Sequence, residues 1–139
     1  MILGVGTDIV QVSRFIRWQQ FSQQQRLRVF TAQELEACTQ GDQLQPEKLA
    51  ARFAAKEAFY KAFSASLITL GQTSKGQPLL TVCRAIEIVS TTWQVPQLQV
   101  DWNFLNEAFG CTLPDVVVHL SMAHERQSAV AFVVISRQL

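Results

Sequence analysis

The chain has little of what marks the commonest alternatives to an ordinary folded enzyme or binding domain. It holds three cysteines, Cys38, Cys83 and Cys111, with no C-x-x-C pair and no Cys/His spacing of a zinc site. A disulfide framework and a structural zinc centre are therefore unsupported, and reduced thiols are expected. No apolar run nears the roughly 20 residues that a membrane span needs. The opening MILGVGTDIV lacks a basic stretch and carries an acid, so it does not read as a secretion signal. Residence in the cytoplasm is the expectation. A net charge of only +1 gives no case for nucleic acid or a membrane as partner. G-x-S-x-G, Walker and G-x-G-x-x-G patterns are absent, which removes the common nucleophile and nucleotide fingerprints. One further absence is local. No acid lies between Asp8 and Glu34, while Arg14, Arg17, Arg26 and Arg28 all fall there. That segment is either a surface for an acidic partner or a solvated basic face.

What is present suits one globular domain over residues 1–139, with 48% apolar and 17% charged residues. MILGVGTDIV reads as a buried strand whose two glycines mark close backbone approach or a bulge. VSRFIRWQQF has the spacing of a helix, with Val12, Phe15 and Ile16 on its apolar side. TAQELEAC opens on Thr31 with Glu34 three residues on, a capping box. Pro46 suits the first turn of a long helix over roughly 46–66, rich in Ala, Leu, Glu and Lys. Beyond it, LLTVCRAIEIVS, LQVDW, DVVVHLSM and SAVAFVVI read as strands, the last two a hairpin across AHERQ, with a short helix at WNFLNEAF. Helices early and strands late predict an α+β fold rather than alternating βαβ units.

Three groups of residues carry chemistry. In RFAAKEAFYKAF the long helix is apolar nearly all round, so it is largely enclosed. Ala50, Ala54, Glu57 and Lys61 form a stripe spanning roughly 60° of its circumference, where two alanines leave room for a ligand. A Glu–Lys pair four apart can also be plain surface decoration worth about 0.2–0.5 kcal/mol. Asp8, inside LGVGTDIV, weighs against that. An ionised carboxylate in a buried strand is costly unless it is paired or holds a metal. Two such acids suit a hard cation, and Mg²⁺ is commonly held by one or two carboxylates plus substrate phosphate oxygens. Lys61 would then meet phosphate as a point charge. In VHLSMAHERQ, Val116, Val118, Leu120 and Met122 share one strand face, Val117, His119 and Ser121 the other, and His124 falls at the turn.

In this order the motifs resemble the holo-acyl-carrier-protein synthases, the small bacterial 4'-phosphopantetheinyl transferases. GVGTDIV is similar to that family's opening strand with its metal-binding Asp, here Asp8. RFAAKEAFYKAF is similar to its signature helix, whose Glu and Lys match Glu57 and Lys61, and VFTAQEL to the segment before that helix. VHLSMAHERQSAVAFVVI resembles its closing hairpin, with the Ser-x-x-His element on Ser121 and His124. The resemblance covers about 70 residues. It implies a long central helix packed on an antiparallel sheet, a homotrimer with sites between subunits, and transfer of the phosphopantetheine arm from coenzyme A to acyl carrier protein. It further implies Mg²⁺ on Asp8 and Glu57, Lys61, Ser121 and His124 toward coenzyme A, catalytic roles for Glu57, Lys61 and His124, and carrier-protein docking at Arg14 and Arg17. The family's Asn-Gly-Lys/Arg-Pro loop has two candidates here. TWQVPQ keeps Pro96 but loses the glycine, and SKGQP fits in letters but comes early.

Two rival readings differ in class. A hotdog-type acyl thioesterase or dehydratase shares the length and a central helix but gives Asp8 no duty. A non-catalytic module binding an acidic protein needs no enclosed acid pair. Magnesium dependence separates the transferase from both.

Overall fold

The two ends of the chain lie side by side. Strand β1 (Ile2–Gln11) pairs antiparallel with β7 (Ser128–Arg137), which pairs antiparallel with β6 (Val116–His124), giving a sheet in the order β1-β7-β6. The coordinates are a computed structural model in which residues 1–113 and 115–138 are described. A 3₁₀ helix (Val12–Gln20) follows β1. Next come the single turn α1 (Gln23–Arg26), α2 (Ala32–Ala37) and a small hairpin of β2 (Thr39–Gln40) and β3 (Gln43–Leu44). Helix α3 (Pro46–Thr69) then crosses the sheet, packing on β1, β7 and β6. After it come α4 (Leu79–Ala85), the hairpin β4 (Ile86–Ser90) and β5 (Pro96–Val100), and α5 (Trp102–Phe109). This is the expected α+β architecture, with a long central helix on an antiparallel sheet.

Helix α3 starts on Pro46 as anticipated and runs one turn past residue 66. Its burial is nearly all round. Leu49, Phe59 and Phe63 are fully enclosed on one side, Ala54, Ala55, Ala58 and Ala62 on others. Each enclosed Phe or Leu contributes about 1.5–3 kcal/mol. The glycines of β1 explain how closely the helix sits. A Cβ on Gly6 would lie 1.9 Å from the Ala58 carbonyl oxygen, and one on Gly4 2.0 Å from that of Ala62. Only a bare backbone fits there. Close approach was one of the two sequence expectations for these glycines, and it is what places β1, and hence Asp8, against the helix.

A buried ion pair ties α3 to the rest. Lys56 Nζ donates to Glu34 Oε1 at 2.7 Å and to the Val29 carbonyl at 2.8 Å, both side chains being wholly buried. Glu34 closes the expected capping box with Thr31, and its Oε2 accepts from the Ile88 amide at 3.0 Å. One carboxylate thus joins α2, α3 and β4. Every bond it needs is made, as a buried charge requires.

Two expectations are corrected. LLTVCRA is helix α4, and only IEIVS continues as strand. Its buried Val82 and Cys83 are adjacent in sequence and Ala85 follows, a one-sided helical pattern. The Val- and Leu-rich composition favoured a strand, but only Ile86–Ser90 finds a partner, in Pro96–Val100. The first helix is 3₁₀, so residues three apart line up. Val12, Phe15 and Trp18 face inward, and Ile16, expected on the apolar side, points to solvent.

Candidate active site

Strand alternation sends Gly4, Gly6, Asp8 and Val10 toward α3, and Asp8 meets the helix where Glu57 and Lys61 emerge from the apolar surround. Lys61 Nζ donates to Asp8 Oδ1 at 3.1 Å and to the Thr7 carbonyl at 2.9 Å. The two partners differ in exposure. The Asp8 side chain is 10% accessible, that of Lys61 53%. Asp8 Oδ2 is buried with no hydrogen-bond partner among the described residues.

Glu57 stands beside Asp8. Burial first, then the hydrogen-bonding approach of the Asp8 carboxyl and its negative charge, push Glu57 above the ordinary glutamate range, while Lys61 and Arg14 pull it back. Two carboxylates held together with one oxygen unpartnered want a proton or a cation between them. Among the described residues no three His, Cys, Asp or Glu side chains gather as a closed metal cage. The donor set therefore fits a hard cation that fills its remaining positions with water and ligand oxygens. The thiols offer no competing nucleophile on the core side, because burial pushes Cys38 and Cys83 each up to about 11 and keeps them protonated.

Arg14 is at this site too. Its guanidinium lies 5.3 Å from the centroid of the Phe53 ring on α3. The four arginines thus divide. Arg26 folds back to donate to the Trp18 and Gln19 carbonyls, whereas Arg17 and Arg28 are exposed.

His124 and Ser121 are placed elsewhere. Register pairs His124 with Ala129, itself opposite Val10, so its strand position belongs to the helix-facing set but at the far edge of the sheet. There it lines a cleft of about 480 Å³ with Lys48, Arg52, Ser90, Gln94 and Met122. Lys48 and Arg52 were not among the residues expected from sequence. Their signal was available: each stands nine residues before Glu57 and Lys61 respectively, which on a helix is about 180°. The two groups therefore occupy opposite sides of α3. Ser121 pairs with Phe132, which is opposite Thr7, on the sheet face turned away from the helix. That face carries exposed Val5, Ile9, Val130 and Phe132.

The β4–β5 turn completes the cleft. Gln94 sits at φ 56°, the left-handed region that glycine adopts without strain. In the TWQVPQ alignment that keeps Pro96, Gln94 stands where the Asn-Gly-Lys/Arg-Pro pattern has its glycine. SKGQP leads instead into α4, where Ser74 and Lys75 line a separate depression with Gly110.

Comparison with known proteins finds relatives along the whole chain. A holo-[acyl-carrier-protein] synthase of Wolbachia from Brugia malayi is 35% identical over 142 residues, covering 100% of this chain and 99% of its own. The structure of the Chronobacterium ammoniagenes ACPS–CoA complex superposes with a TM-score of 0.76 at 28% identity, over 98% of both chains. That of the Bacillus anthracis holo-(acyl-carrier-protein) synthase in complex with CoA (3',5'-ADP) gives 0.68 at 28% identity, over 99% of both. The family model described as the 4'-phosphopantetheinyl transferase superfamily matches residues 4–132, a span that takes in most of β1 with Asp8, the Glu57–Lys61 stretch of α3, all of β6 and the first half of β7. The chain belongs to the 4'-phosphopantetheinyl transferase superfamily.

Proposed function

We propose that this chain transfers the 4'-phosphopantetheine group of coenzyme A to a serine of apo-acyl carrier protein, leaving adenosine 3',5'-bisphosphate, in support of fatty acid biosynthesis. The observation that carries this is the Asp8–Glu57–Lys61 cluster, two facing carboxylates with an unpartnered oxygen and a half-exposed ammonium one turn away. Asp8 and Glu57 would hold Mg²⁺, which when bound would neutralise pyrophosphate charge. The serine oxygen forms a bond to the pantetheine-side phosphorus as the bridging P–O bond breaks. A carboxylate of the pair accepts the serine proton, and Lys61 stabilises the charge gathering on the departing phosphate. Such a transfer asks for alignment and charge more than for covalent help from the protein. The thioesterase alternative leaves the carboxylate pair without work, and the family assignment sets it aside.

The cleft of Lys48, Arg52 and His124 takes further phosphate of coenzyme A. Because it lies across α3 from the carboxylates, both halves serve one substrate only when two chains meet. The exposed apolar sheet face, with Ile9 72% and Phe132 47% accessible, is the surface through which a homotrimer would form, and it carries Ser121 to the seam. Arg17 and Arg14 lie on the side where an acidic carrier protein would dock, steered by charge. Among the described residues no helix is long and apolar enough to cross a membrane, and we place the enzyme in the cytoplasm.

Intact-protein mass spectrometry of apo-acyl carrier protein incubated with this protein and coenzyme A tests the reaction. A gain of one phosphopantetheine arm with Mg²⁺ and none with EDTA is expected. No gain with several carrier proteins would overturn the reading.

A further inference from the structure

Trp93, at the tip of the β4–β5 turn, is 88% exposed. The other two tryptophans pack among rings, Trp18 against Phe15 and Phe30 and Trp102 against Phe59 and Phe63. Tryptophan is rarely left so open, because its ring is the largest apolar surface a residue can hide. The turn that presents it is built. Gln94 donates its amide to the Thr91 carbonyl at 2.8 Å, and Thr91 donates to that of Val95 at 3.1 Å. Gln94 holds a left-handed backbone that residues with a side chain seldom adopt. The strand below is anchored in the core, since the Ile88 amide donates to Glu34, the partner of buried Lys56. The result is an indole presented to water on the same turn whose Gln94, next in sequence, lines the cleft with Ser90, Lys48, Arg52 and His124.

The geometry points to Trp93 as the stacking platform for the purine ring of coenzyme A, whose phosphate the cationic cleft takes. This rests on the transferase reading above. The cleft holds two cations and a histidine for phosphate, and its apolar lining, Ala37, Ala51 and Met122, offers a base no Phe, Tyr or Trp ring among the described residues. The neighbouring indole, with Val95 53% exposed beside it, supplies such a ring. Stacking on an aromatic side chain is worth about 1–3 kcal/mol per base and tolerates any base, since each has a π-face. Trp93 therefore contributes affinity for the nucleotide end and takes no part at the reacting phosphorus, on the other side of α3.

Calorimetric titration with adenosine 3',5'-bisphosphate, on the full chain and on its Trp93→Ala and Trp93→Phe variants, tests this. The Ala variant is expected to bind about 5- to 160-fold more weakly, and the Phe variant to lose much less. Inorganic pyrophosphate, which has no base, should bind all three alike. In turnover the Ala variant should raise KM for coenzyme A while kcat and KM for the carrier protein hold. Unchanged bisphosphate binding in Trp93→Ala would overturn the proposal, as would an equal loss for pyrophosphate or a rise confined to the carrier-protein KM. A wild-type chain that neither binds the bisphosphate nor transfers the arm would instead overturn the transferase reading.

Discussion

Helix α3 carries two lysine–acid pairs five residues apart, and they have opposite characters. Lys56 and Glu34 are wholly buried, and between them satisfy groups of α2, α3 and β4. Lys61 and Asp8 are partly open, at 3.1 Å, with one carboxylate oxygen unpartnered and a second acid pressed against it. A finished network fixes a structure, because removing any member strands a buried charge. An unfinished one at the surface keeps capacity for a ligand. The two pairs resemble each other in the sequence, and burial alone tells them apart.

The sharpest way to break this comparison is to cut each pair once. Lys56→Met leaves Glu34 buried and uncompensated, and should destabilise the fold by about 3–5 kcal/mol, seen as a lower urea midpoint. Transfer per folded molecule should persist. Glu57→Gln should do the reverse, lowering transfer by about 10²–10³-fold, the scale of losing one contact to transition-state charge, while the melting temperature stays at or above that of the parent. If Lys56→Met were silent in stability, or Glu57→Gln active, the assignment of the two pairs would be wrong.

A smaller effect sharpens the same contrast. Burial, and then Asp8, push Glu57 upward, so the folded chain holds that proton more tightly than the unfolded chain. Stability therefore falls as pH climbs from the ordinary glutamate range through the raised value. A cation between the carboxylates offsets this loss. Mg²⁺ should raise the melting temperature more at pH 8 than at pH 5, and Glu57→Gln should flatten both dependences. Equal gains at the two pH values would contradict a carboxylate-held metal.

Much of this was legible in the chain. Pro46, the alanine-rich run and the capping box at Thr31 are local signals, and the structure keeps them because nothing distant opposes them. Gly4 and Gly6 announced a tight approach, and the backbone of α3 is what approaches. The Asp8–Glu57–Lys61 set was found because charge in an apolar setting is conspicuous. LLTVCRA was misjudged because Val and Leu suit a strand or a buried helix equally, and only the pairing of β4 with β5 decides. Lys56 went unremarked because it stands beside Glu57 like a surface charge, and its partner Glu34 is 22 residues away. Lys48 and Arg52 were passed over because the stripe of Glu57 and Lys61 drew attention to one side of the helix. The nine-residue offset to its opposite side was there to be counted.

That offset underlies the central claim, that carboxylates and cationic cleft meet between chains. The direct measurement co-expresses Glu57→Gln with Lys48→Ala/His124→Ala and assays arm transfer by the mixed oligomer. Each variant alone should be nearly inactive. Random mixing leaves about a quarter of the seams with both halves intact, so activity should return to roughly a quarter of the parent's. Mixed oligomers as inactive as either variant would place both halves within one chain and contradict the account.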